Sequence, residues 1–154
     1  MQENWPWDSN VRITVRDLGG NILDVREIRN LIMHVGSDML RDILMASIAS
    51  GQIKYVGVGT GDTAPDKAQT QLVSEQFRKI LTGQVAVTTG TLKTTHYIAP
   101  SEAVVNIKEV AWFAGVGATA TPNSGIMVSR ILYTRNKTNL ESITIERTDV
   151  IAEG

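Results

Sequence analysis

A chain of 154 residues, 42% of them hydrophobic, has material for one domain with its own core. It contains no cysteine, which excludes a disulfide framework and a thiolate metal site. Fifteen Lys and Arg against 16 Asp and Glu leave a net charge of −1, so composition offers no basic footprint for nucleic acid, and a 20% charged fraction argues against wholesale disorder.

The chain opens MQENWPWDSN, without the positive and apolar regions of a secretory signal. No apolar run approaches the roughly 18 residues of a spanning helix. These features predict a soluble chain made in a reducing cytoplasm, with no membrane partner. Two Trp and a Pro within seven positions predict an extended N-terminal arm over 1–10, ahead of one β-rich domain over 11–154. Its indoles could fold back on their own subunit or anchor it to a neighbour.

Val11, Ile13 and Val15 alternate with Arg12, Thr14 and Arg16, the period of a half-buried strand. Leu18-Gly19-Gly20-Asn21 supplies a hairpin turn, and 22–28 returns as a second strand. Residues 30–35 read as an extended lead-in or an early helical turn. Ser37-Asp38 then looks like a helix start. Met39, Leu40, Ile43, Leu44 and Ile48 follow at helical spacing, and Gly51 sits where a terminating glycine belongs. This predicts one helix over 38–50 with Leu40, Ile43, Leu44 and Ile48 buried, so that Leu44→Asp would be costly.

An apolar strand over 53–58 leads into Gly59-Thr60-Gly61-Asp62-Thr63-Ala64-Pro65-Asp66, a run of turn formers. Strands are expected at 77–82, 84–89, 92–99, 104–113, 126–135 and 140–151, with a long Gly/Ala/Thr loop over 114–125 and a polar connection over 136–139. Serial strands with one early helix predict a mainly β fold, an antiparallel β-sandwich.

The motifs of chemistry do not assemble. Gly57-Val58-Gly59-Thr60-Gly61 lacks the third glycine of a dinucleotide fingerprint, because Asp62 or Ala64 stands in its place. Counted as a phosphate loop from Gly61, Lys67 fits, but Asp66 and Ala68 do not. The run therefore reads as a tight surface turn. His34 and His96 are isolated, and His96, in an alternating run, reads as a sheet-surface residue. Asp62 and Asp66 lack the third ligand of a calcium loop. Ser124-Gly125 has no histidine at an informative spacing, and Asn136-Lys137-Thr138 matches a sequon that carries no weight without a signal peptide. Glu102, Glu109, Glu141 and Glu146 are acids by type alone, with solvated strand faces and cross-strand ion pairs as their ordinary role. The reading is no catalytic residue, no metal and no cofactor. Trp112-Phe113 is the densest aromatic spot: neighbours on a strand face opposite ways, so one ring should enter the core and the other should need a cover, either the arm or a partner chain.

The stretch Tyr55-Val56-Gly57-Val58-Gly59-Thr60-Gly61-Asp62-Thr63-Ala64-Pro65, followed by Leu72, Glu75, Phe77 and Arg78, resembles a pattern common in tailed-bacteriophage structural proteins. Those sequences carry an apolar strand, a GTG-x-T-A-P loop and a Leu-x-x-E-x-x-R stretch. Lys108-Glu109-Val110-Ala111-Trp112-Phe113 resembles a later strand of the same proteins, and the similarity runs over about 11–151. The resemblance implies a non-enzymatic virion protein found on heads or tails, and it carries over no catalytic residue. The first expectation is a capsid decoration or cement protein bracing the major capsid protein, located in the virion after assembly in the host cytoplasm. The alternatives are a tail, baseplate or fibre-attachment protein and a carbohydrate-binding tail module. Trp5, Pro6, Trp7, Trp112 and Phe113 are the candidate interface residues, and the arm suggests a homo-oligomer, taken as a trimer.

Overall fold

The computed structural model describes residues 7–151. The order along these residues is β1 (Trp7–Asp17), β2 (Ile22–Arg29), β3 (Leu31–Ile32), α1 (His34–Leu44), β4 (Ile53–Gly59), β5 (Glu75–Ile80), β6 (Gly83–Thr88), β7 (Thr91–Ile98), β8 (Asn106–Ala114), β9 (Ile126–Asn136) and β10 (Glu141–Ile151). The later strands lie within two residues of their expected ends.

Two antiparallel five-stranded sheets form the expected β-sandwich. The first has the order β2-β1-β10-β7-β6 and the second β3-β9-β8-β4-β5. β1 and β10 pair along their whole lengths, from Trp7↔Ile151 to Asp17↔Glu141. The expected arm over 1–10 is therefore strand from Trp7 onward; residues 1–6, which include Trp5 and Pro6, lie outside the described residues.

Alternation, with a bulge at Val128 on β9, sends Val11, Ile13, Val15, Ile98, Ile143 and Ile145 of the first sheet against Val56, Val58, Val110, Trp112, Val128 and Ile131 of the second. The chain passes between the sheets four times, at β2–β3, β5–β6, β7–β8 and β9–β10, and the first two crossings are tight corners. At one, Asn30 N–H donates to Ser9 O at 2.9 Å, and the next residue, Leu31, pairs with Arg130 in the other sheet. At the other, Leu81 N–H donates to Lys54 O and Thr82 N–H to Thr95 O, each at 2.7 Å.

A second cluster lies on the outer face of the second sheet. Met33, Leu72, Ala111, Phe113, Ala118 and Met127 form it, with Leu31, Val35 and Tyr55 packed against it.

The helix differs from the expectation: it spans His34–Leu44, not 38–50. No side chain caps its start at Met33. Instead Met33 N–H donates to Val128 O at 2.9 Å and His34 N–H to Lys67 O at 2.8 Å, so tertiary partners satisfy groups that Ser37 was expected to serve. The left-handed residue beyond its end is Ala46 (φ 56°), not Gly51. The earlier start turns a different face inward, with Gly36 and Met39 buried. Leu44 follows Met39 by five residues, about 140° around the helix. It is 82% exposed, Ile43 is 38% exposed, Leu40 is half-buried, and Ile48, beyond the helix, is only partly buried. The expectation of a costly Leu44→Asp is therefore corrected. Leu44→Asp should change the unfolding free energy by no more than about 0.5 kcal/mol, whereas Met39→Asp should cost several times that. Urea denaturation of the two variants side by side checks the assignment.

Candidate functional site

The pattern of the GTG loop has a packing cause. Strand alternation places Gly57, Gly59 and Gly61 in line on the outer face of the second sheet. A Cβ at Gly59 would land on Glu109 Oε1 and Ser74 O, and one at Gly61 on Val73. Only glycine leaves room there for a carboxylate and a returning backbone. This is not the tight surface turn expected: the loop is pinned from beneath.

Glu109 holds the pin. Its Oε1 accepts N–H groups from Gly61 (3.1 Å) and Ser74 (2.8 Å). Its Oε2 accepts Val73 N–H (3.1 Å) and Arg130 Nε–H (2.9 Å). Both side chains of the Arg130–Glu109 pair are fully buried. Arg130 Nη1 also donates to Thr63 O at 2.8 Å and Gln69 Oε1 at 3.3 Å, so residues 60–74 are tied to β8 and β9. Glu109 is thus not on the solvated face expected of it.

A second buried pair closes the same layer. Arg78 Nε and Nη2 donate to the two carboxylate oxygens of Glu75 at 2.9 and 2.8 Å. Arg78 Nη1 reaches Ser124 O at 2.8 Å, holding the 114–125 loop. The guanidinium lies 3.9 Å from the centre of the Phe113 ring. Phe113 is therefore covered by Arg78 and Leu72 of its own chain, which corrects the expectation that the second ring needs the arm or a partner.

Trp112 faces the inter-sheet core, fully buried, with the Arg147 guanidinium 5.2 Å from its ring centre. Arg147 makes a bidentate pair with Asp149 (2.8 and 2.9 Å) and donates across the sandwich to Ser129 Oγ. Trp7 Nε1–H donates to Asp149 Oδ1 at 2.8 Å. The candidate interface residues are thus not gathered on one surface. Trp7 and Trp112 share a network inside the sandwich, Phe113 lies under the outer layer, and Trp5 and Pro6 are outside the described residues.

His96 also departs from the expected sheet surface. It lies opposite Ile145 on the inner face, fully buried, with Nε2–H donating to Lys54 O at 3.1 Å. Burial pushes its pKa from 6.5 down to about 4, with the Arg147 charge acting in the same direction and the Lys54 carbonyl opposing. Above pH 6.5 the imidazole is neutral in both folded and unfolded chains. Between that value and about 4, the unfolded chain binds a proton that the folded chain refuses, so stability falls as the pH drops. On moving from pH 7 to about 4.5, His96 should account for roughly 2–3 kcal/mol of lost stability. His96→Gln should remove that part of the slope in urea titrations at the two pH values. Equal slopes in the two proteins would contradict the buried neutral imidazole.

Lys137, expected in a polar connection, is buried too, and its Nζ donates to Pro100 O (2.9 Å) and Thr138 O (3.2 Å). Desolvation lowers its pKa, and Glu141 and Glu102 oppose the shift. Glu102 pairs with Lys79 and Glu146 with Lys93, while Glu141, paired with Arg135 at the β9–β10 connection, is buried and not on the solvated face expected of it.

Among the described residues no three His, Asp or Glu side chains gather as a metal set. Two clefts in the described residues measure about 610 Å³, between Trp7, Arg29 and His34, and about 580 Å³, between the Arg12–Glu27 and Lys93–Glu146 pairs. The three buried ion pairs of the two layers, Arg130–Glu109, Arg78–Glu75 and Arg147–Asp149, escaped the sequence reading. A signal for them was present: Arg147 and Asp149 share strand parity with Ile143 and Ile145, and Glu109 shares it with Ala111 and Phe113.

Compared with known protein families, with curated proteins and with solved structures, the chain matches none.

Proposed function

We propose that this chain is a non-enzymatic structural protein of a tailed-phage virion, a capsid decoration or cement protein that associates with copies of itself and with the major capsid protein. One observation carries the reading. The residues that bear the phage-protein pattern, Gly59, Gly61, Leu72, Glu75 and Arg78, converge with Glu109 on a single buried layer. Their charged groups are engaged in bonds within the chain. The pattern thus acts as a signature of a rigid block and leaves the outer surfaces for contact, as a shell-bracing protein requires. Such a protein is assembled in the host cytoplasm and works in the virion.

Quantitative mass spectrometry of purified virions tests this. Hundreds of copies per particle support the shell. A small multiple of three or six would move the protein to the tail, and absence from washed particles would overturn the virion role. Added protein should also bind capsid shells stripped of it.

A further inference from the structure

Among the described residues β2 is an outer strand of the first sheet, hydrogen-bonded to β1 alone. Asn30 N–H donates to Ser9 O, so in this antiparallel ladder residues 24, 26 and 28 also turn their backbone groups toward β1. Val25, Glu27 and Arg29 then turn theirs outward. An edge of free N–H and C=O groups recruits another strand unless its side chains forbid it. Beside this edge Leu18, Ile22, Leu23 and Val25 are 43% to 64% exposed, a cluster of large apolar side chains.

The charges on β2 select the partner. Two copies meeting edge to edge about a two-fold axis must run antiparallel, with side chains of the same face opposite one another. A register centred on residue 24, 26 or 27 would set Asp24 on Asp24, Arg26 on Arg26 or Glu27 on Glu27, and like charges directly opposite are destabilising. Centred on Val25, Val25 meets Val25 through its outward backbone groups. Asp24 of each copy then meets Arg26 of the other, twice. Within one chain these two already pair at 3.5 Å, with side chains 30% and 62% exposed, so a second copy would exchange each intrachain pair for one across the axis. Leu23 then lies opposite Glu27 of the second copy, and the bulge that leaves Leu23 unpaired against β1 ends the regular ladder before Ile22. β6, the other edge of this sheet, exposes Val85 and Val87 but carries no charge to choose a register.

We infer that the β2 edge is a dimerisation surface, on which a second copy of this chain pairs antiparallel with its two-fold axis at Val25, joining two sheets into one. The trimer expectation rests on the N-terminal arm; the edge argues independently for a two-fold. The inference also stands apart from the virion role, since copy number per particle does not depend on it.

Light scattering across micromolar to high-micromolar concentrations tests it. The unaltered protein should reach the mass of two chains. Asp24→Arg, which sets Arg against Arg26 across the axis, should return it to one chain. The double exchange Asp24→Arg with Arg26→Asp should restore two. Val25→Lys, which brings two ammonium groups together at the axis, should also give one chain and decides the matter if Asp24→Arg does not fold by circular dichroism. A one-chain mass for the unaltered protein at every concentration would overturn the inference. So would assembly that survives both single variants, or a double exchange that folds but fails to restore the mass.

Discussion

Glu109→Gln should lower the unfolding free energy by about 3–5 kcal/mol, because it breaks a buried ion pair from one side and leaves Arg130 uncompensated. The geometry sets this scale. Glu109 is the partner of a fully buried guanidinium and the acceptor for three backbone N–H groups on residues 61, 73 and 74. An amide keeps the shape but supplies one acceptor oxygen where the carboxylate supplies two, and it turns an N–H₂ toward donors. The loop over 60–74 should loosen first, so its amides should exchange faster than those of β1 and β10 in the same sample. Urea denaturation checks the free energy, and a loss under about 1 kcal/mol would mean that the pair is not sequestered from water.

Arg147→Met should cost about as much, roughly 3 kcal/mol or more, for the same reason on the other side of the second sheet. It strands Asp149, removes the donor that reaches Ser129 across the sandwich, and takes away the cation over Trp112. Unlike Glu109→Gln it should loosen the contact between the sheets and alter the emission of Trp112. Adding Asp149→Leu should recover part of the loss, because the stranded charge goes with it. The recovery should be incomplete, since Trp7 Nε1–H then lacks its acceptor. A cycle over the two sites measures the coupling, and strictly additive losses would show that the two side chains act separately.

Both variants concern groups that periodicity assigns to a face but not to a partner. Val11, Ile13 and Val15, or Ile143 and Ile145, declare their strands by alternation, because a residue on every second position must bury the same way whatever the strand packs against. The sandwich and its strand positions were legible on that ground; of the early helix only its presence was, since its bounds and buried face differ from those expected. Of the candidate site, the resemblance-bearing residues were visible as a pattern, but their use was not. Glu109 reads as an ordinary charge, and Glu75 and Arg78 only as members of the pattern, until β4, β5 and β8 lie side by side.

What local sequence determined here is the class of fold and the parity of each strand, since both follow from side-chain spacing along one chain. What only the tertiary structure decided is everything set by a distant neighbour. α1 begins at His34 because Val128 and Lys67 offer carbonyls there, overriding the Ser37-Asp38 signal, and so Leu44 faces water. His96 is neutral because the packed sheets bury it and set the Arg147 charge near it, which together outweigh the Lys54 carbonyl. Phe113 needs no second chain because Arg78, thirty-five positions earlier, lies over it. Alternation is a property of consecutive residues. A partner for a buried charge is a property of the packed layers, and it comes from residues that the local pattern does not link.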